Sequence, residues 1–290
     1  MNKVAIIIVN YNGLNDTCAC IQSIPKKDNY KIIVVDNASK TDEVKIIKNK
    51  FEYVHVISSD SNLGFAGGNN LGIKYALEND YDYIMLLNND TVIEKKMIDE
   101  LLKYADNNNI TVPKMCYYSN PDTVWYAGGY IDKIKGLAIH YGYKMNEEKF
   151  NERVKCNFAT GCCMLIHKSI FKKIGLLDEK YFMYCEDTDF SIRLDQNKIA
   201  ILYVPTAKLL HKVSVSTGGE NSPMSIYYGT RNRFIYLKQY KKYFCFTAYI
   251  YTYVTRYIKI LVNIMKRNNN YRIYLQAIND YKKGIVGKKD

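Results

Sequence analysis

Three carboxylates crowd one short stretch of this chain, Tyr184-Cys185-Glu186-Asp187-Thr188-Asp189-Phe190. Like charges this close repel one another. Repulsion, together with burial against Tyr181, Phe182, Met183 and Tyr184, raises a carboxyl pKa toward the range useful to a general base. Acids are also favoured in the first turn of a helix, so a solvated acidic cap accounts for the same residues. A second acid closes an apolar run, Leu86-Leu87-Asn88-Asn89-Asp90-Thr91. Asp90, with Asn88 assisting, suits a hard divalent cation such as Mg²⁺ or Mn²⁺, which takes oxygen ligands and shares them with phosphates. It suits a helix cap equally well. The stretch from Asn62 to Asn70 holds Gly64, Gly67 and Gly68 among three asparagines, enough to let backbone approach a phosphate at a helix N-terminus. Its spacing is not the G-x-G-x-x-G fingerprint. His211 sits at a loop after an apolar strand, as a ligand or as a structural histidine. His55, His140 and His167 carry no comparable context.

The elements that would position these residues follow from the apolar pattern. Residues 4–9 and 32–35 are β-branched runs ending at Asn10 and Asp36, with a helix over 16–24 between them. That is a βαβ unit. A third strand is expected near 55–57, a helix over 69–79 and a buried strand over 83–87. Continuous apolar runs of this kind read as parallel strands covered on both faces. Ligands of open α/β sheets bind beyond the carboxyl ends of the strands, so Asn10, Asp36 and Asp90 should converge on one crevice. Residues 111–160, rich in Tyr and Gly with a turn at Gly128-Gly129, read as antiparallel strands and acceptor-facing loops. A strand and helix follow over 162–174, a helix over 186–196 and a strand over 199–204 closed by Pro205. From about 224 the chain reads as helix to its end.

Composition narrows the classes. With 290 residues, 48% of them apolar, the chain can bury the core of one large domain or a domain with an appendage. The N-terminal apolar run is too short for a signal peptide and reads as a strand. The eight cysteines form no C-x-x-C pair and no zinc pattern, which fits a reduced, cytoplasmic compartment. The net charge of +12 is not spread evenly: residues 231–290 carry 14 Lys and Arg against Asp280 and Asp290, while the first 230 residues balance. The apolar, tyrosine-rich stretch 243–265 is interrupted by Arg256 and Lys259, short of the ~20 apolar residues of a spanning helix. It fits an interfacial helix on an anionic membrane surface, or tail helices packed on the body or on a second copy in a homo-oligomer. Basic and aromatic residues also suit single-stranded nucleic acid, but that reading leaves the neutral body and its acids unexplained. A nucleotidyltransferase would want a basic, glycine-rich triphosphate loop where this chain has VNYNG.

Taken in order, IIIVNYNG, VVDNASKTD (34–42), NLGFAGGNN (62–70), LLNNDT (86–91), the long segment from Thr160 to Leu194 and YYGTRN (227–232) resemble the motif series of family-2 glycosyltransferases, closest to a rhamnosyltransferase-like branch. The series spans residues 4 to 232, and the ending AINDYKKGIVGK is also similar to that branch. The resemblance implies a GT-A fold, a Rossmann-like, mainly parallel sheet flanked by helices, over residues 1–235, with a basic helical extension over 236–290. It implies inverting transfer from a nucleotide sugar. The basic, tyrosine-rich tail adds the expectation of a peripheral place on the inner face of the cell membrane, with a glycan or lipid-linked glycan as acceptor and no nucleic acid. Rhamnose from dTDP-rhamnose is favoured by the branch; UDP-galactofuranose, UDP-galactose and UDP-N-acetylglucosamine stay open. By the same resemblance Asp187 matches the catalytic base, with Glu186 its partner and Asp189 in support. Asp36 resembles the acid that reads the pyrimidine, beside Asn10 and Asn12. Gly67, Gly68 and Asn69 resemble the segment near the diphosphate. Asp90 matches the metal-binding acid of the DxD motif, whose first acid is here Asn88. His211 resembles the histidine completing the metal site, and Arg231 a basic residue near the diphosphate.

Overall fold

The computed structural model describes residues 2–213 and 222–289. Strands and helices alternate through the first third of the chain: β1 (Val4–Asn10), α1 (Leu14–Ser23), β2 (Tyr30–Asp36), α2 (Glu43–Lys50), β3 (His55–Ser58), α3 (Gly64–Glu78) and β4 (Tyr83–Leu87). Local chemistry sets several boundaries. Ile24, ahead of Pro25, takes an extended ψ of 124° and ends α1, as a residue before proline tends to do. Asp42 caps α2 by accepting from the Lys45 amide. The run 83–87 is buried throughout, as a strand covered on both faces must be.

The chain continues through β5 (Thr91–Ile93), α4 (Met97–Leu102), β6 (Asn109–Tyr117), β7 (Asn120–Tyr126), β8 (Gly129–Asp132), β9 (Leu137–His140), β10 (Val154–Cys156) and β11 (Cys163–His167). Then come α5 (Lys168–Ile174), α6 (Glu186–Gln196), β12 (Ala200–His211), α7 (Pro223–Gln239), α8 (Phe246–Met265) and α9 (Asn270–Lys282). Ten strands form one mixed sheet in the order β10-β12-β6-β11-β4-β1-β2-β3, with β5 on β12 and β7 on β6; β8 and β9 make a separate hairpin. The β1–β2, β1–β4, β2–β3 and β6–β12 pairings are parallel. In-register pairing sets Asn10 beside Asp36 at the carboxyl ends of β1 and β2.

Two elements differ from the sequence expectation. Helix α3 begins at Gly64, five residues before the expected start, because its glycines let it lie close on β1. A Cβ on Gly68 would sit 2.9 Å from Val9 Cγ1, and one on Gly72 2.6 Å from Ile7 Cγ2. Strand β12 does not close at Pro205. An irregularity between Val204 and Lys208 absorbs the proline, which has no N–H for the ladder, and pairing with β6 resumes through His211. His211 is therefore the last residue of a strand and not part of a loop.

Helix α7 runs through residue 236, so the boundary expected there falls inside a helix. One face of α7 packs with α8 and α9 through Ile226, Phe234, Ile260, Tyr274 and Ile278. Tyr236 and Leu237 of α7, with Tyr240, Phe244 and Ala248 beyond it, join the core of the sheet body. The basic helices and the body thus share apolar packing.

Candidate active site

Glu186 and Asp187 open α6 after a segment of unusual backbone. Phe182, Tyr184 and Cys185 have φ of 61°, 63° and 74°, a region that costs a non-glycine residue of order 1 kcal/mol or more. The segment is held from several sides. The Asn232 side-chain amide donates to the carbonyls of Tyr181, Met183 and Tyr184 at 2.8, 2.8 and 2.9 Å. The Phe65 amide donates to the Phe182 carbonyl at 2.7 Å. Gly64 makes that approach feasible: its φ is 72°, and a Cβ there would lie 2.2 Å from the Phe182 oxygen. Asn70 ties α3 to the stretch before it, donating to the Leu177 carbonyl at 2.8 Å.

This scaffold separates the three acids. Glu186 and Asp187 line a cavity of about 500 Å³. Asp189 is turned into the body, fully buried, where it accepts from Tyr240 Oη at 2.7 Å, Tyr181 Oη at 3.2 Å and Arg193 Nε at 2.9 Å. Burial raises the Asp187 pKa, against the pull of donors: the Gly161 amide at 3.2 Å and the Thr188 amide at 2.7 Å. Burial pushes Glu186 up further, helped by the charge of Asp187, and its Oε2 has no hydrogen-bond partner. Burial disfavours the charged form of both acids, more so at Glu186, while the Gly161 and Thr188 amides favour the carboxylate of Asp187.

The same cavity is lined by Asn88 and Asp90, beyond the end of β4, and by His211 at the end of β12. Sheet register brings the last two together, because His211 pairs with Thr91 across β12 and β5. His211 Nε2 lies 3.2 Å from Asp90 Oδ1, both side chains are buried, and neither Asp90 Oδ1 nor His211 Nδ1 has a hydrogen-bond partner. A carboxylate oxygen facing an imidazole nitrogen, with no hydrogen bond formed between them, is a donor pair that suits a divalent cation. Among the described residues no third His, Cys, Asp or Glu completes a cluster, so further ligands would have to come from substrate oxygens or water.

Asn69 also lines the cavity, with Asn62, Gly64 and Phe65 from the start of α3. Gly67 and Gly68 lie inside α3, outside that lining, where a Cβ would meet Leu63 and Val9. None of Asn10, Asn12 and Asp36 lines the cavity: Asn10 and Asp36 are buried and Asn12 is exposed. The Asn10 amide donates to Asp36 Oδ1 at 2.8 Å and to Glu43 Oε2 at 2.7 Å. Ser39 Oγ donates to Asp36 Oδ1 at 2.6 Å, and Asn12 Oδ1 accepts from the Lys40 amide at 2.8 Å. This network fixes the turn after β2, while Val9, Tyr11 and Asn37 present the surface. Arg231 does not reach the cavity: it is fully buried in α7 and donates to the Asn232 side chain at 3.0 Å and the Gly287 carbonyl at 2.8 Å.

Two lining residues had no role in the sequence reading. Trp125, from β7, sets its ring edge to face against His211 at 4.4 Å. His140, from β9, stacks on Phe158 and shares a hydrogen bond of 3.0 Å with the Trp125 carbonyl; burial lowers its pKa. The available signal was weak: Trp125 is the single tryptophan of the chain and precedes the Gly128-Gly129 turn.

A family model described as glycosyl transferase family 2 matches residues 5–175. The hexosyltransferase Agl10 of low-salt glycan biosynthesis in Haloferax volcanii is 29% identical over 241 residues, covering 81% of this chain and 75% of that protein. The dTDP-rhamnosyl transferase RfbF of Shigella flexneri is 28% identical over 249 residues, 82% of this chain and 81% of the relative. Among solved structures, GalNAc-T7 with UDP, GalNAc and Mn²⁺ is similar at a TM-score of 0.60 and 18% identity, over 72% of this chain and 43% of that one, a likeness of fold. The chain belongs to glycosyl transferase family 2 and is a glycosyltransferase of the GT-A fold, in a family whose reaction joins a nucleotide-sugar donor to a glycan acceptor.

Proposed function

We propose that the chain transfers a sugar, with inversion, from a nucleotide donor to a hydroxyl of a lipid-linked cell-surface glycan, and that the sugar is rhamnose from dTDP-rhamnose. The observation that carries this reading is a single cavity lined both by the Glu186–Asp187 pair and by the Asp90–His211 pair. Asp187, ionised and held by the Gly161 and Thr188 amides, accepts the proton of the attacking hydroxyl. Attack from the face opposite the leaving group inverts the anomeric centre. Glu186 keeps its proton beside the base and adds no second charge to repel the reacting oxygen. Asp90 and His211 are the residues that would hold Mg²⁺ or Mn²⁺, and such a cation stabilises the charge gathering on the departing diphosphate. Asn62, Asn69 and Asn88 offer polar contacts to the donor along the same lining. Asn10, Asn12 and Asp36 shape the turn that receives the base, with Gly67 and Gly68 letting α3 close on it. Similarity to the dTDP-rhamnosyl transferase RfbF supports rhamnose and that to the hexosyltransferase Agl10 a hexose, so UDP-galactose, UDP-galactofuranose and UDP-N-acetylglucosamine are the competing donors.

A panel of nucleotide sugars tests the assignment. Thermal shift and slow donor hydrolysis, with and without Mn²⁺, should single out dTDP-rhamnose, with metal strengthening both signals. Stronger stabilisation and hydrolysis with a UDP-sugar would transfer the assignment to that donor. We place the enzyme peripherally on the inner face of the membrane; the support is the charge and the exposed apolar face of its C-terminal helices.

A further inference from the structure

The face of α7 that runs away from the cavity carries an anion-ready cluster that the transfer chemistry does not use. Ser225 lines the cavity. Gly229, one turn further along α7, has no heavy atom within 4 Å of where a Cβ would stand, so the helix borders open space there. Next to that space, Arg256 Nη2 of α8 lies 3.4 Å from the Gly229 carbonyl. Arg233, the following residue on this face, is 5% exposed and donates to the Lys135 carbonyl at 2.7 Å. The Nε atoms of both arginines are buried without a partner. Lys259, one turn along α8 from Arg256, is exposed and opens the cluster to solvent.

Three cations meet here: Arg233 acts on Arg256, Arg233 and Arg256 both act on Lys259, and no carboxylate is among the groups acting on either. Burial and mutual repulsion hold both below their ordinary pKa values. Burying like charges without a counter-ion is unfavourable, and a bound anion relieves it. The acids on adjacent elements are engaged elsewhere: Asp280 accepts from Tyr227, and Asp195 from Tyr243. Cys185, immediately before Glu186, lies within electrostatic reach of Glu186 and Asp187 on one side and of Arg233 and Arg256 on the other. The cluster is thus a close neighbour of the catalytic pair.

We propose that the α7 face from Ser225 past Gly229 to Arg233, with Arg256 and Lys259, binds the diphosphate of a lipid-linked acceptor while its sugar occupies the cavity beside Asp187. This rests on the reading of the acceptor as lipid-linked, and it assigns the diphosphate to a place apart from the donor's. Two guanidinium groups and an ammonium match a diphosphate in charge and in donor number. The open space at Gly229 is the path from cavity to cluster, which gives a glycine in mid-helix a use.

Farnesyl diphosphate, farnesol and inorganic pyrophosphate are the probes, titrated into the full chain in EDTA with UDP and dTDP both present to occupy the donor region. Farnesyl diphosphate should bind at least tenfold more tightly than either other probe. Arg256→Gln should lose that binding by tenfold or more, and so should Gly229→Leu, which fills the space without touching a charge and improves helix propensity. Melting temperature and nucleotide binding should change little in both variants. Unaltered diphosphate binding in the two variants overturns the proposal, as does farnesol binding equal to farnesyl diphosphate. Pyrophosphate binding as tightly as farnesyl diphosphate makes this a free-anion site and overturns the lipid-linked part. UDP and dTDP are also titrated alone: failure of both to bind sinks the donor reading and leaves the cluster to be judged by its own variants.

Discussion

The Asp187 carboxylate accepts from the Gly161 and Thr188 amides, while Glu186 beside it has no partner at Oε2. That asymmetry is why we propose Asp187 as the base and Glu186 as a proton holder. Replacing Asp187 with Asn keeps the shape and removes the proton acceptor. Turnover should fall by about 10²–10⁴-fold, the range typical of general-base catalysis, with melting temperature and nucleotide binding retained. Near-normal transfer by Asp187→Asn would remove the base assignment. The same assay across pH carries a sign. Burial raises the Asp187 pKa above the ordinary Asp value of 3.8, and activity needs the ionised form. The acid limb of kcat/KM should therefore lie above that value; a limb at or below it would contradict the assignment.

At the scale of elements, the segment 181–185 and the middle of α7 form one device. Three residues with positive φ hold Glu186 and Asp187 toward the cavity, and Asn232 answers three of the carbonyls that this backbone turns inward. Asn232→Ala leaves those buried acceptors short of a donor, at about 1–3 kcal/mol in stability. It should also lower kcat more than it raises the donor KM, because Asn232 acts through the placement of the acids and touches no substrate. A fall in melting temperature with kcat unchanged would reduce Asn232 to a purely structural role. Arg231, expected near the diphosphate, belongs to the same device through Asn232 and the Gly287 carbonyl.

At the scale of the molecule, the excess charge and an exposed apolar stripe fall on the same C-terminal helices. Phe246, Ile250, Val254, Ile258, Leu261 and Met265 recur every three or four residues along α8 and are exposed, Phe246 at 77% and Met265 at 74%. Among the described residues no helix is long and apolar enough to cross a membrane. A stripe of this kind beside Lys266, Arg267 and Arg272 fits the surface of an anionic bilayer, where each basic residue contributes about 1 kcal/mol. The full chain should float with phosphatidylcholine vesicles containing phosphatidylglycerol, and less so in high salt. Leu261→Glu should weaken that binding without lowering the melting temperature. Equal flotation with pure phosphatidylcholine would count against the charge-driven reading.

By itself the sequence determined the strands β1 to β4 with the helices α1 and α3, though not α2, the helix 186–196 and the ordered motifs that mark the family, because these rest on local apolar period and short spacing. Tertiary structure decided which acids share a cavity. Asp187 and Asp189 stand two residues apart on one helix turn, yet one lines the cavity and the other is locked to Tyr240 and Arg193. Pairing between strands distant in sequence set His211 against Asp90, after a strand irregularity carried β12 beyond Pro205. Gly67 and Gly68 are packing residues: a Cβ on Gly68 would strike Val9 of β1, and one on Gly67 would strike Leu63 just ahead of α3. Residue type and spacing announce what chemistry is possible; direction, burial and partner come from elements brought together across the chain, and these decide which residues are placed to perform it.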